Sequence, residues 1–369
     1  MDTNMQTPKV TKESKNKIRV EFDRAPLKER LKAKFLNLYF FQKIMWAIFR
    51  YALLVGISYV VLFPFISKIA GSFMSKSDII DVTVRLIPKA PTLEIYQAIF
   101  TEMGYWEAFA GTFTLSLVSA LLQTFVCCLI AYGLAKFRFR GNSLIMMLVI
   151  LTMIVPHQTL RLSMSLNFRY FDIFGIVSLL SGGANISFLP ADAGINEFLA
   201  GIQIIDLEEH GINLMNTYWP MVILSASGLA FKNGLYIFML RQFFSGVPDA
   251  LEESAYIDGS GVFRTFFTII LPLSIPMMVT VFLFAFCWQW TDDFYTGMFF
   301  TTNKIRMMPN IYTDEIPKSL KTDYEGQNIY YSAIRNTCGL AIIMPLVILY
   351  CFGQKFLVQG IERSGLTAE

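Results

Sequence analysis

The sequence predicts an all-α integral membrane protein of six transmembrane helices, with a short cytoplasmic coupling helix between the fourth and fifth. Three observations carry this. Hydrophobic residues make up 54% of the chain and charged residues only 16%, where a soluble domain carries about 25% charged residues. Six stretches approach the roughly 20 apolar residues that cross a bilayer core: residues 51–69, 112–134, 143–163, 218–240, 269–290 and 333–356. The remaining charge is concentrated before the first stretch and in the links between the others.

The chain begins basic. Residues 1–50 hold Lys9, Lys12, Lys15, Lys17, Arg19, Arg24, Lys28, Arg30, Lys32, Lys34, Lys43 and Arg50 against Asp2, Glu13, Glu21, Asp23 and Glu29. A basic flank before a first span stays in the cytoplasm. No aromatic-basic module of a nucleic-acid binder accompanies it, so the charge is read as topology and no nucleic-acid partner is expected. The start is too hydrophilic and too long for a cleavable signal peptide, and the first span is expected to be an uncleaved anchor. In residues 25–40, Leu27, Leu31, Phe35 and Leu38 recur at helical spacing among Lys28, Arg30, Lys32 and Lys34. That pattern predicts a helix lying along the lipid interface; a regulatory docking helix is the alternative.

The links orient the spans. Lys136, Arg138 and Arg140 join the second and third stretches; Arg241 and Arg264 lie between the fourth and fifth. With both links and both termini inside, residues 70–111, 164–217 and 291–332 are external. The middle one is acidic, with Asp172, Asp192, Glu197, Asp206, Glu208 and Glu209 against Arg169, as the positive-inside bias requires. Its two apolar pieces, residues 173–180 and 197–205, are too short to span and predict short helices or hairpins. The expected organisation is a basic tail (1–44), spans one to three (45–164), an extracellular insertion (165–216), spans four to six (217–356) with a coupling loop at 245–272, and a cytoplasmic tail (357–369). Interior prolines Pro64, Pro156 and Pro345 are tolerated in a membrane where neighbours satisfy the freed carbonyls.

The five cysteines, Cys127, Cys128, Cys287, Cys338 and Cys351, lie in or beside apolar stretches. They read as small hydrophobes, with no metal or disulfide spacing. The chain has two histidines: His157, read as structural, and His210, read as solvated. No Gly-Lys dipeptide occurs, so there is no P-loop. The chain is expected to bind no cofactor and to be no enzyme.

Between the fourth and fifth stretches lies SGVPDALEESAYIDGSGVF. Pro248 suits a helix's first turn, and Asp249, Glu252 and Glu253 suit the positive end of its dipole. Gly259 and Gly261 are expected to end it, since glycine accepts the left-handed C-cap. A helix of about 11 residues, or about 16 Å, cannot cross a bilayer. A short charged helix between spans predicts a partner.

The run resembles the EAA loop of ABC-importer permeases. Glu253-Ser254-Ala255, three residues, Gly259, nine residues, then Ile269, Leu271 and Pro272 match its spacing, with Ser254 in place of alanine. Asp258-Gly259-Ser260 is similar to the version in maltose-type carbohydrate permeases. So are Ala131-Tyr132-Gly133-Leu134-Ala135 with Phe139-Arg140-Gly141, and Pro91-Thr92 with Tyr96. The segment from Trp290 to Phe294 and the tail Gln359-Gly360-Ile361 with Ser364-Gly365 are similar too. Residues 45–365 are covered, apart from the insertion.

The resemblance implies a permease subunit of a binding-protein-dependent carbohydrate importer in the bacterial cytoplasmic membrane. Its partners would be a second, different permease chain, two ATPase subunits that bind ATP and Mg, an extracellular solute-binding protein, and membrane lipid. It implies that Glu253 pairs with a basic residue of the ATPase and that residues 324–331 touch the docked binding protein. A cargo of polyamine, phosphate or peptide is the alternative, against which the Asp258-Gly259-Ser260 run and the tail argue. A membrane enzyme or channel-like scaffold would need clustered His, Asp or Cys in the spans. Candidate pathway residues are Gln123, Ser225, Ser227, Trp288, Gln289, Trp290, Asp292 and Asp293, since polar groups at membrane depth face protein or a cavity.

Overall fold

The computed structural model describes residues 10–13, 17–20, 38–172, 206–208, 211–230, 232–302, 304–323 and 326–366. The chain divides into two compact units, Met1–Ser67 and Lys68–Glu369. In the first, strands β1 (Val10–Glu13) and β2 (Lys17–Val20) pair antiparallel, with Val10 opposite Val20. Helix α1 (Leu38–Ser72) follows and runs on into the second unit, longer than the expected first span. The expected interfacial helix lies outside the described residues, except for 38–40, which open α1.

The second unit is organised around α2 (Tyr105–Lys136), which packs against four later helices. These are α5 (Trp219–Ser227), α6 (Asn233–Ser245), α8 (Val262–Trp290) and a short helix at Met308–Thr313. Helix α9 (Gln327–Leu366) packs on α8 and continues past the expected boundary at 356. Helix α2 is apolar on all sides, so hydropathy alone does not orient it. Size does. Ala108, Thr112, Ser116, Ser119, Gln123, Cys127 and Ala131 form a buried stripe at helical spacing, while Phe113, Leu121, Phe125 and Leu129 point outward. Small residues let helices approach closely, and lipid accepts the large apolar side chains left outside.

Among the described residues four helices are long and apolar enough to cross a membrane: Phe41–Ser72, Tyr105–Lys136, Val262–Trp290 and Gln327–Leu357. The third expected span, 143–163, is not straight. Helix α3 (Asn142–Ile154) ends where Val155 turns extended before Pro156, and a 3-10 turn (His157–Leu160) leads into α4 (Arg161–Arg169). The two arms are bent by 93°. The physical reason is that proline drives its predecessor out of the helical region and brings no N–H of its own. Counted as one span, this pair makes the total five.

The fourth expected span, 218–240, is interrupted. It divides into α5 and α6, of 9 and 13 residues. At about 1.5 Å per residue neither reaches the roughly 30 Å of a bilayer core. Gly228, at φ 76°, closes α5 in the left-handed conformation, and Lys232, at φ 70°, opens α6. Helix α6 then passes close to α3. A Cβ on Gly234 would lie 2.6 Å from Thr152 Oγ1 and 2.9 Å from the Val149 carbonyl, so only glycine fits that crossing.

Other prolines leave their helices whole. Pro64, Pro276 and Pro345 sit inside α1, α8 and α9. At Pro345 the missing N–H frees the carbonyl four residues back. That carbonyl, Ala341 O, accepts from the Tyr105 hydroxyl at 2.9 Å, and its neighbour Ile342 O accepts from Trp290 Nε1 at 2.9 Å. Within residues 164–217, strands β3 (Asp206–Glu208) and β4 (Gly211–Asn213) pair antiparallel, and Phe171 bridges to Ile212. The apolar pieces at 173–180 and 197–205, with Asp192, Glu209 and His210, lie outside the described residues.

Candidate functional site

The loop between α6 and α8 folds as α7 (Ala250–Ile257). It is shorter than expected, because Pro248 and Asp249 lie before its first turn. Gly259, at φ 78°, terminates it. Its N–H donates to Tyr256 O at 3.0 Å, and Ser260 N–H donates to Ala255 O at 2.9 Å. This pair of bonds is a Schellman cap, which requires a left-handed residue at Gly259. Gly261 has φ −78° and precedes the next helix, so it does not share the role expected of it.

The helix has two faces. Glu252 and Ala255 are buried; Glu253, Ser254, Tyr256, Ile257, Asp258 and Phe263 are exposed. Ile269, Leu271 and Pro272 belong to α8, where a π-turn at Phe266–Ile270 precedes Pro272. Leu271 N–H reaches back five residues to Phe266 O. Such a bulge absorbs the register change that proline forces on a helix.

Two contacts under α7 are not legible in the sequence. Lys136, at the end of α2, donates to Val247 O and Asp249 Oδ1, each at 2.6 Å. Its side chain is 5% exposed while that of Asp249 is 75% exposed. The ammonium's hydrogen bond and charge hold the Asp249 carboxyl below its usual range. Glu252 lies beside the Tyr132 hydroxyl, and burial pushes its carboxyl up. Neither Glu252 Oε1 nor Tyr132 Oη completes a hydrogen bond. Lys136 had served only to orient the chain. Lys136→Met is expected to speed proteolytic nicking of the 246–260 loop about ten-fold, because a carbonyl and a carboxylate lose their donor. Asp249→Asn is expected to change it by under about three-fold, since water replaces an exposed partner. Limited proteolysis of the purified chain tests this; equal effects would mean that Lys136 does not clamp the loop.

A second constellation lies between α2, α6 and α8. Gln123, Tyr236, Trp288, Gln289, Asp292 and Tyr295 line a small recess. Four of the eight candidate pathway residues are thus brought together: Gln123, Trp288, Gln289 and Asp292. Ser225 stands behind them, accepting from Gln123 Nε2 at 3.3 Å. Ser227 donates to Leu224 O of its own helix, and Asp293 is exposed. Trp290 turns the other way, into the core, with Phe109 at 5.4 Å and Phe286 at 5.8 Å between ring centroids. Asp292 accepts from the backbone N–H groups of Tyr295 and Thr296, and burial raises its carboxyl to about 6.

The structure adds Tyr236 and Tyr295, which hydropathy had counted as apolar filling. The Tyr236 hydroxyl and Gln289 Nε2 are buried with no hydrogen-bond partner. Among the described residues there is no cluster of His, Cys, Asp and Glu that would hold a metal.

The structure is thus a helical membrane core with a Schellman-capped helix in the loop before α8. The family of binding-protein-dependent transport system inner membrane components matches residues 124–363, and the chain belongs to it. The match takes in the α7 loop and the recess except Gln123, one residue outside. Curated relatives are permeases. The polygalacturonan/rhamnogalacturonan transport system permease protein YtcP of Bacillus subtilis (strain 168) is 24% identical over 84% of this chain and 94% of its own. The maltodextrin transport system permease protein MalD of Streptococcus pneumoniae (strain ATCC BAA-255 / R6) is 23% identical over 85% and 93%. A chain from the crystal structure of a bacterial ABC transporter involved in the import of the acidic polysaccharide alginate shares the fold. Its TM-score is 0.58 at 18% identity, over 85% of this chain and 97% of that one.

Proposed function

We propose that this chain is one permease subunit of an ATP-driven importer of oligosaccharides, crossing the bacterial plasma membrane six times with both termini in the cytoplasm. In this reading the bent pair α3–α4 is the third crossing and the interrupted pair α5–α6 the fourth. A second permease chain completes the pathway, two ATPase subunits hold ATP and Mg, and an extracellular binding protein delivers the solute. The observation that carries it is α7: a short helix capped by Gly259 with Glu253 and Ile257 exposed, in a run where Glu253, Gly259, Ile269, Leu271 and Pro272 stand at the spacing of the EAA loop. The saccharide transport named for the relatives supports the cargo.

Hydrolysis on the ATPase would hold α7 in two positions. Because the start of α7 is clamped to α2 through Lys136 and its end is joined to α8 by the short turn at Gly259–Gly261, either position would tilt both helices and expose the recess to alternate sides. The test is purification through an affinity tag on this chain from native membranes, with mass spectrometry for a P-loop ATPase, followed by vesicle uptake of labelled oligosaccharides. Recovery without an ATPase would end the coupling reading. ATP-driven uptake of another solute and no saccharide would end the cargo reading alone.

A further inference from the structure

Helix α1 carries its charge toward one end. No Asp or Glu occurs between Glu29 and Asp78, while Arg30, Lys32, Lys34, Lys43 and Arg50 all fall before the uncharged run 51–67. The helix thus brings no carboxylate of its own to Lys43 or Arg50. Its apolar window is 0% buried, and Lys43, Trp46 and Arg50 are exposed. Along one side of it Gln42, Lys43, Trp46, Arg50 and Leu53 line a single shallow groove. Depth follows from the helix rise. At about 1.5 Å per residue the uncharged run covers about 26 Å, close to the roughly 30 Å of a bilayer core. Arg50 therefore stands at the edge of the hydrocarbon. Trp46 lies about 6 Å further out, at headgroup depth, and Lys43 about 10 Å out, at its outer edge.

Side chains on a helix lean toward its N-terminus, so the Arg50 stem leads out of the hydrocarbon and toward the headgroups. Its guanidinium lies 5.7 Å from the centroid of the Tyr51 ring, a contact that consumes none of its N–H donors. We infer that this groove binds an anionic phospholipid of the phosphatidylglycerol type, with Arg50 on the phosphate, Trp46 alongside the headgroup and Lys43 beyond it. The guanidinium fork matches a phosphate with two parallel hydrogen bonds. Every phospholipid offers that phosphate, so Arg50 alone does not discriminate. Lys43 does. In phosphatidylcholine a cationic amine follows the phosphate outward, to the level of the Lys43 ammonium, where like charges repel. Phosphatidylglycerol places a neutral glycerol there and keeps its net negative charge. The proposal needs only that α1 crosses a bilayer, so it stands or falls apart from the coupling and cargo readings.

The test draws the full, tagged chain from native membranes in the complex it forms and exchanges it into nanodiscs of equal phosphatidylglycerol and phosphatidylcholine. Native mass spectrometry then counts the lipids it retains. The native chain is expected to retain phosphatidylglycerol about five-fold or more over phosphatidylcholine, as one basic residue at the headgroups predicts. Lys43→Gln is expected to bring the two near parity, and Lys43→Arg, which keeps the charge, to hold the preference within about two-fold. Arg50→Gln is expected to lower retention of both lipids about five-fold with less change in their ratio. Lys12→Gln, which removes one cation of β1 outside α1, is expected to leave the ratio as it is. A preference unchanged in Lys43→Gln, or lowered as far in Lys12→Gln, would overturn the proposal and leave only the diffuse charge of the basic tail. Retention of neither lipid by the complex would overturn it too and give this face of α1 to a protein neighbour. If Arg50→Gln does not reach the membrane, the Lys43 and Lys12 variants decide alone.

Discussion

Glu253→Ala is expected to detach the ATPase from this chain without unfolding it. Glu253 is exposed in the first turn of α7, and among the described residues no hydrogen bond or ion pair engages its carboxylate. Alanine is the better helix former, so the change in the chain's own stability should stay within about 0.5 kcal/mol. At an interface the outcome differs. Truncating one partner of a buried charge pair costs on the order of 2–5 kcal/mol, much of it the cation left unpaired. That is roughly 30-fold or more in association. Co-purified ATPase and ATP-driven uptake should therefore fall together while the chain's level in the membrane holds. Glu253→Gln, which keeps the shape, should be intermediate. Undiminished ATPase recovery and uptake in Glu253→Ala would sink the assignment of α7 as the joint.

Trp290→Ala should act on the fold rather than the cargo. Trp290 is 1% exposed, and its Nε1 donates to Ile342 O at 2.9 Å. Emptying such a site costs about 3–5 kcal/mol, a large share of a domain's stability of about 5–15 kcal/mol. The accumulated chain should drop several-fold and its thermal midpoint should fall. Uptake per assembled importer should keep its KM. Tyr105→Phe should show a smaller version, about 1–3 kcal/mol, by orphaning Ala341 O beside Pro345. A normal level of Trp290→Ala with a changed KM would instead return Trp290 to the pathway.

Much of the α7 loop was legible because its chemistry is local. Pro248, the acidic first turn and Gly259 act within a dozen residues of one another, and the structure keeps Gly259 as the left-handed cap. Gly261 was misread because two nearby glycines look alike until backbone angles separate them. The recess was half legible: Gln123, Trp288, Gln289 and Asp292 are polar or amphipathic in apolar runs, a visible signal. Tyr236 and Tyr295 carry no such signal, since a tyrosine in an apolar run is ordinarily filling. Lys136 was seen as a charge but not as a clamp, because its partners lie more than a hundred residues along the chain.

By itself the sequence determined that the chain is a helical membrane protein with a charged, glycine-stopped helix between two spans. Burial of apolar surface and helix capping are properties of short segments, and they are written in residue order. Only the tertiary structure decided which segments run straight. Pro345 is carried inside a continuous helix, where the carbonyl it frees, Ala341 O, meets Tyr105, 236 positions before Ala341. At Pro156 the helix ends and the chain turns by 93°. Whether a proline is absorbed or breaks a span depends on what neighbouring helices offer its unpaired backbone, and that is settled only when the helices pack.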